Sequence, residues 1–88
     1  MKTIYKYELS VEDEQIIEMP YLHQILSLQV QYGKPCIWVL VDLSVSTMEN
    51  VKFVTYGTGH QVKPEIDKYV GTYQLNDGLL VFHVFKQS

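Results

Sequence analysis

The chain has 88 residues, 47% of them hydrophobic, which allows one small domain that buries roughly 60–65% of its unfolded surface. A formal net charge of −3, with acidic and basic residues interspersed and no basic tract, argues against nonspecific grip on a nucleic-acid backbone. The single cysteine, Cys36, excludes an internal disulfide, and neither an apolar run of about 18 residues nor the apolar core of a signal peptide in MKTIYKYELS is present, so a soluble protein in a reducing compartment is expected.

Seven tyrosines and an aromatic content of 12% favour strands over helices. Thr3–Leu9 alternates, with Thr3, Tyr5, Tyr7 and Leu9 on one face and Ile4, Lys6 and Glu8 on the other, and reads as a first strand. After the acidic connection Ser10–Glu14, Gln15–Met19 reads as a short second strand stopped by Pro20. The two together predict a hairpin.

Ile25–Val41, ILSLQVQYGKPCIWVLV, is a stronger hairpin signal, with its turn at Tyr32-Gly33 or Gly33-Lys34. Either turn puts Leu26, Leu28 and Val30 with Ile37, Val39 and Val41 on a core face. Ile25, Ser27 and Gln29 then share a mixed face with Cys36, Trp38 and Leu40. Asp42–Asn50 is a polar loop and Val51–Tyr56 a further strand, which must end at Gly57-Thr58-Gly59-His60. Gln61–Lys68 holds at most one helical turn, entered through Pro64.

The chain closes on Tyr69–Phe85, YVGTYQLNDGLLVFHVF, two apolar strands around Asn76-Asp77-Gly78. A three-residue loop with Gly78 left-handed sets Leu75 opposite Leu79, Tyr73 opposite Val81, Gly71 opposite His83 and Tyr69 opposite Phe85. The count is six to seven strands built from hairpins. The expectation is an all-β single domain over residues 1–88, a compact antiparallel β-sandwich or small barrel.

Tyr56–His60, YGTGH, is the most site-like segment. Its glycines let backbone N–H groups turn toward one point, a nest for phosphate or carboxylate to which His60 adds a donor; the competing reading is a glycine-permitted strand exit. Trp38, with Tyr32, Tyr56 and Tyr73, can stack on a base or anchor a protein interface, or can form a second small core. His23, His60 and His83 have no metal-ligand spacing, so no metal is expected. Cys36 lacks a neighbouring base and a helix N-terminus, and Glu12, Asp13 and Glu14 read as a solvated loop. No cofactor motif and no assembled catalytic signature is present, and the expectation is a protein that is not an enzyme. Apolar character on both faces of two hairpins points to a homo-oligomer.

Met1-Lys2-Thr3-Ile4-Tyr5-Lys6-Tyr7, Gly33-Lys34-Pro35-Cys36-Ile37-Trp38, Tyr56-Gly57-Thr58-Gly59-His60, Tyr69-Val70-Gly71-Thr72-Tyr73-Gln74 and Leu80-Val81-Phe82-His83-Val84-Phe85 together resemble a family of small bacteriophage and prophage proteins of unassigned function. The resemblance covers nearly the whole chain. It departs at Tyr21-Leu22-His23, where a smaller turn sequence is expected, and at Tyr32, where an Asn-Gly turn is more usual. It implies an accessory factor, acting in the cytoplasm of an infected bacterium, that blunts a host defence. The expected mode is sequestration of a small anionic, nucleotide-derived host signal, with Gly57, Thr58, Gly59 and His60 on phosphate or ribose and Trp38, Tyr56 and Tyr73 stacking. The alternatives are an inhibitor that docks a host defence or metabolic protein, and a minor virion or assembly component.

Overall fold

The computed structural model describes residues 1–87. Seven antiparallel strands form two sheets: β1 (Lys2–Glu8), β2 (Glu14–Pro20), β3 (Gln24–Gln31), β4 (Lys34–Asp42), β5 (Met48–Gly57), β6 (Ile66–Leu75) and β7 (Leu80–Gln87). One sheet has the order β1-β4-β3 and the other β2-β5-β7-β6. The all-β class and the two-layer architecture are as the strand patterns indicate.

The core is built from the inward residues of both layers. Ile37, Val39 and Val41 of β4 face Met19 of β2, Val51 and Phe53 of β5, Tyr73 of β6 and Val84 of β7, all at most 3% exposed. The layers meet along β3 and β6, where a Cβ on Gly71 would stand 3.0 Å from Leu28 Cβ. Gly71 is thus the point at which a bare backbone lets the second sheet approach.

The register corrects three expectations and decides one alternative, the position of the second hairpin's turn. β1 and β2 do not form a hairpin: β1 pairs with β4 (Tyr5↔Val39) and β2 with β5 (Ile17↔Val51), so the acidic connection carries the chain from one layer to the other. In the second hairpin the loop is Tyr32-Gly33, both residues with positive φ (52° and 76°), the backbone of a type I′ turn. A bulge between Ile25 and Ser27 then turns Ile25 toward the core and leaves Leu26 45% exposed, reversing their expected faces.

In the last hairpin the loop takes four residues, Asn76–Leu79, with three successive left-handed residues at Asn76, Asp77 and Gly78. The extra residue shifts the ladder by one: Leu75 pairs with Leu80, Tyr73 with Phe82 and Thr72 with His83, so His83 opposes Thr72 and not Gly71. A second bulge, between Tyr69 and Gly71, cancels the slip and restores Tyr69 opposite Phe85. Residues 64–65 make a turn and no helix.

Candidate functional site

The glycine turn leaves β5 at its end. Gly57 O accepts from His60 N at 3.1 Å, and Gly59, at φ +88°, occupies the position where a type II turn requires a left-handed residue. Thr58 N donates to Val81 O at 3.3 Å. Two of the amides expected to converge on an anion are therefore already engaged, His60 N within the turn and Thr58 N on β7, and what the turn presents outward is the His60 side chain. That imidazole lies over Gly57: a Cβ there would stand 3.0 Å from His60 Cε1. The bare residue is what lets the ring settle.

His83, on β7, ties this turn to the sheet. Its Nε2 lies 2.7 Å from Thr58 Oγ1 and its Nδ1 3.0 Å from Thr72 Oγ1, and Thr72 Oγ1 in turn bonds to the Tyr69 hydroxyl. A Thr-His-Thr-Tyr chain thus runs across the outer face of β6 and β7.

Beside the turn, an open cleft of about 660 Å³ lies between the entry to β2, the end of β5 and the segment after His60. Tyr56 and His60 line it with Gln61, Lys63 and the carboxylates of Glu12, Asp13 and Glu14. Tyr56 is held on two sides. Its hydroxyl accepts from Lys63 N at 3.3 Å, and its ring meets Phe85 edge-on at 6.1 Å between centroids. A smaller groove of about 230 Å³ continues past Tyr56 and Lys63 toward Lys52 and Glu65. Lys52 is paired with Glu14 at 3.3 Å. The trough is mixed in charge, with His60 and Lys63 facing a carboxylate wall.

The expected site residues divide. Tyr56 and His60 line one cleft, and Gly57 supports the His60 ring. Thr58 and Gly59 shape the turn beside it. Trp38 lies in the other sheet, on the outer face of β4 between Lys6 and Ser27, and is not part of the cleft. Tyr73 is a correction: it is 3% exposed inside the core, packed on Phe82 at 5.4 Å, and has no ring face to offer a ligand. The one-residue shift of the last ladder explains this, since it pairs Tyr73 with Phe82 across the inner face. Burial also raises the Tyr73 phenol above its ordinary pKa.

Sequence reasoning missed Gln61 and Lys63; Glu12, Asp13 and Glu14 are exposed, as a solvated connection predicts, and they also line the cleft. The signal was the position of the acidic run immediately before a strand, where Asp13 O accepts from Thr55 N at 2.8 Å and extends the β2–β5 ladder to the cleft. Among the described residues no group of three or more His, Cys, Asp and Glu side chains is arranged to hold a metal ion.

A family model described as a domain of unknown function, DUF7352, matches residues 1–88. No curated protein and no solved structure matches the chain.

Proposed function

We propose, for a chain that belongs to the DUF7352 family over residues 1–88, a protein that binds and holds a small nucleotide-derived molecule without converting it. The observation that carries this reading is the placement of Tyr56, His60 and Lys63 in one cleft of about 660 Å³, a volume suited to a ligand of that size. Tyr56, fixed by Lys63 and Phe85, supplies a pre-oriented aromatic surface for a base, and such stacking is worth about 1–3 kcal/mol. His60 and Lys63 donate to phosphate oxygens. Glu12, Asp13 and Glu14 accept from ribose hydroxyls or an exocyclic amine, and disfavour a bare polyanion on their side. The ligand is therefore better described as dipolar than as simply anionic.

In the phage setting that the sequence resembles, such a protein traps a host nucleotide signal in the cytoplasm of the infected cell. The test is thermal denaturation against a panel of linear and cyclic nucleotides. A hundredfold excess over Kd stabilises by about 2.7 kcal/mol, a shift of roughly 10 °C or more for a domain of this size. His60→Ala, Lys63→Ala and Tyr56→Leu should each abolish the shift, and Trp38→Ala should keep it. A panel without any shift, or a shift indifferent to the three cleft variants, overturns the reading.

A second reading, an inhibitor that docks a host protein, is favoured by the outer face of the β1-β4-β3 sheet. There Trp38 and Leu40 are half-buried and Ile4, opposite Leu40, is 54% exposed. A stoichiometric protein band retained from bacterial lysate by wild type and lost with Trp38→Ala supports it.

A further inference from the structure

We propose that two copies of this chain join edge to edge through β1, in one register, to make a continuous six-stranded sheet. The inference is independent of the ligand reading, because the cleft lies on the other sheet.

Every open sheet has two edges, and those of this fold differ. β3 carries a bulge at Leu26, β6 is interrupted at two places, and β2 runs into Pro20. Each device blunts pairing with another chain. β1 has none of them. Lys2–Glu8 pairs residue for residue with β4 from Lys2↔Asp42 to Glu8↔Cys36, and its other edge pairs with no strand among the described residues.

The hydrogen-bond parity of that edge is fixed. Leu43 N donates to Met1 O and Leu9 N to Pro35 O, both at 2.8 Å. The odd-numbered residues of β1 therefore turn their backbone groups toward β4. Lys2, Ile4, Lys6 and Glu8 turn theirs toward the open edge.

A two-fold axis perpendicular to the sheet keeps outer faces outer, so an antiparallel copy must centre on a residue of β1. Centred on Tyr5, Lys2 meets the partner's Glu8, Ile4 meets the partner's Lys6, and Tyr5 meets the partner's Tyr5. All four outward-turned residues then exchange backbone hydrogen bonds, and two Lys–Glu pairs close the ends. Centring on Ile4 sets Lys2 against the partner's Lys6, and centring on Lys6 sets Lys6 against its own copy. Of the registers that overlap five or more residues of β1, only the one centred on Tyr5 avoids a like-charge pair, and it alone pairs all seven residues of the strand. Lys2, Ile4, Tyr5, Lys6 and Glu8 are all exposed in the single chain, and Tyr5 already stands edge-on to Tyr7 at 6.4 Å. The surface is self-complementary, and its occupant is a second copy.

The test is sedimentation velocity on the full chain from about 1 μM to about 1 mM. Wild type should run as a dimer within that range. Glu8→Lys places a second positive charge opposite the partner's Lys2 at both ends and should weaken association on the order of tenfold or more. The double variant Lys2→Glu/Glu8→Lys should restore it, because the swap re-forms both pairs and Lys2 and Glu8 lie at opposite ends of one strand. Ile4→Pro removes an N–H that faces only the open edge, so it should yield a folded monomer. A wild type that stays monomeric throughout, a double variant as weak as Glu8→Lys, or an Ile4→Pro dimer overturns the proposal. Circular dichroism of each variant confirms that the fold is retained.

Discussion

His83 holds Thr58 at 2.7 Å through one ring nitrogen and Thr72 at 3.0 Å through the other, so a single imidazole clips the glycine turn to the sheet. In the neutral ring one of these nitrogens donates and the other accepts, and hydroxyls serve either need by rotating. The bonds are partly exposed, so each is worth about 1 kcal/mol net. His83→Ala should lower stability by about 1–2 kcal/mol. A cycle with Thr58→Val should show a coupling of about 0.5–1.5 kcal/mol. Additive losses in urea melts count against the clip. Because the turn carries His60 to the cleft, His83→Ala should also loosen ligand binding there.

Tyr73 has the opposite character. Its hydroxyl is buried in the core with no hydrogen-bond partner among the described residues, as is Thr55 Oγ1. Such a group retains its desolvation cost, so Tyr73→Phe should raise stability by about 1 kcal/mol. The raised phenol pKa gives a pH test. Below the unfolded value of about 10 both states are neutral and no penalty arises. Above it the unfolded chain loses the proton first, and stability falls as pH rises toward the folded value. Tyr73→Phe should flatten that alkaline decline in melts between about pH 9 and 11.

Gly71 lies where β6 of one layer meets β3 of the other. A Cβ there would stand 3.0 Å from both Leu28 Cβ and Leu28 Cδ2, and although the Cδ2 methyl can swing away, Cβ moves only with the β3 backbone. Gly71→Ala should therefore cost about 1–3 kcal/mol by overpacking. A Tm within a degree or so of wild type would mean that the sheets can part there without loss.

Tyr32 occupies the first position of the type I′ loop at φ 52° and is 93% exposed, so it makes a strained backbone and few contacts. Asparagine tolerates that region far better than tyrosine. Tyr32→Asn should stabilise by about 1 kcal/mol, or roughly 4–8 °C in Tm, with cleft and association unchanged. A lower Tm would show that the exposed ring has a role in packing.

The strands were readable because their alternation is regular: β4 and β5 put Ile37, Val39, Val51 and Phe53 inward as the pattern demands. The pairing of β1 and β2 was not readable, because adjacent strands joined by a short link ordinarily pair, and nothing local marks a change of layer at Ser10–Glu14. The faces of the last hairpin turned on one residue of loop length, which Asn76-Asp77-Gly78 leaves open between three and four. For the site, Tyr56 and His60 were legible from the glycines around them. Lys63 and the acidic run were not, since only the folded chain brings residues from both sides of β5 together. Trp38 and Tyr73 were assigned on residue type, and residue type does not fix the layer or the face.

The change of layer between β1 and β2 has a kinetic side. Neither strand can pair when it is made: β1 waits for β4, beginning with Lys2↔Asp42, and β2 waits for β5, beginning with Glu14↔Val54. The β3–β4 and β6–β7 hairpins close over short loops and can form first, while the two leading strands add to them across long ones. During synthesis the leading strands therefore spend the longest time as bare, strand-forming polypeptide, which is the condition in which chains find one another's edges.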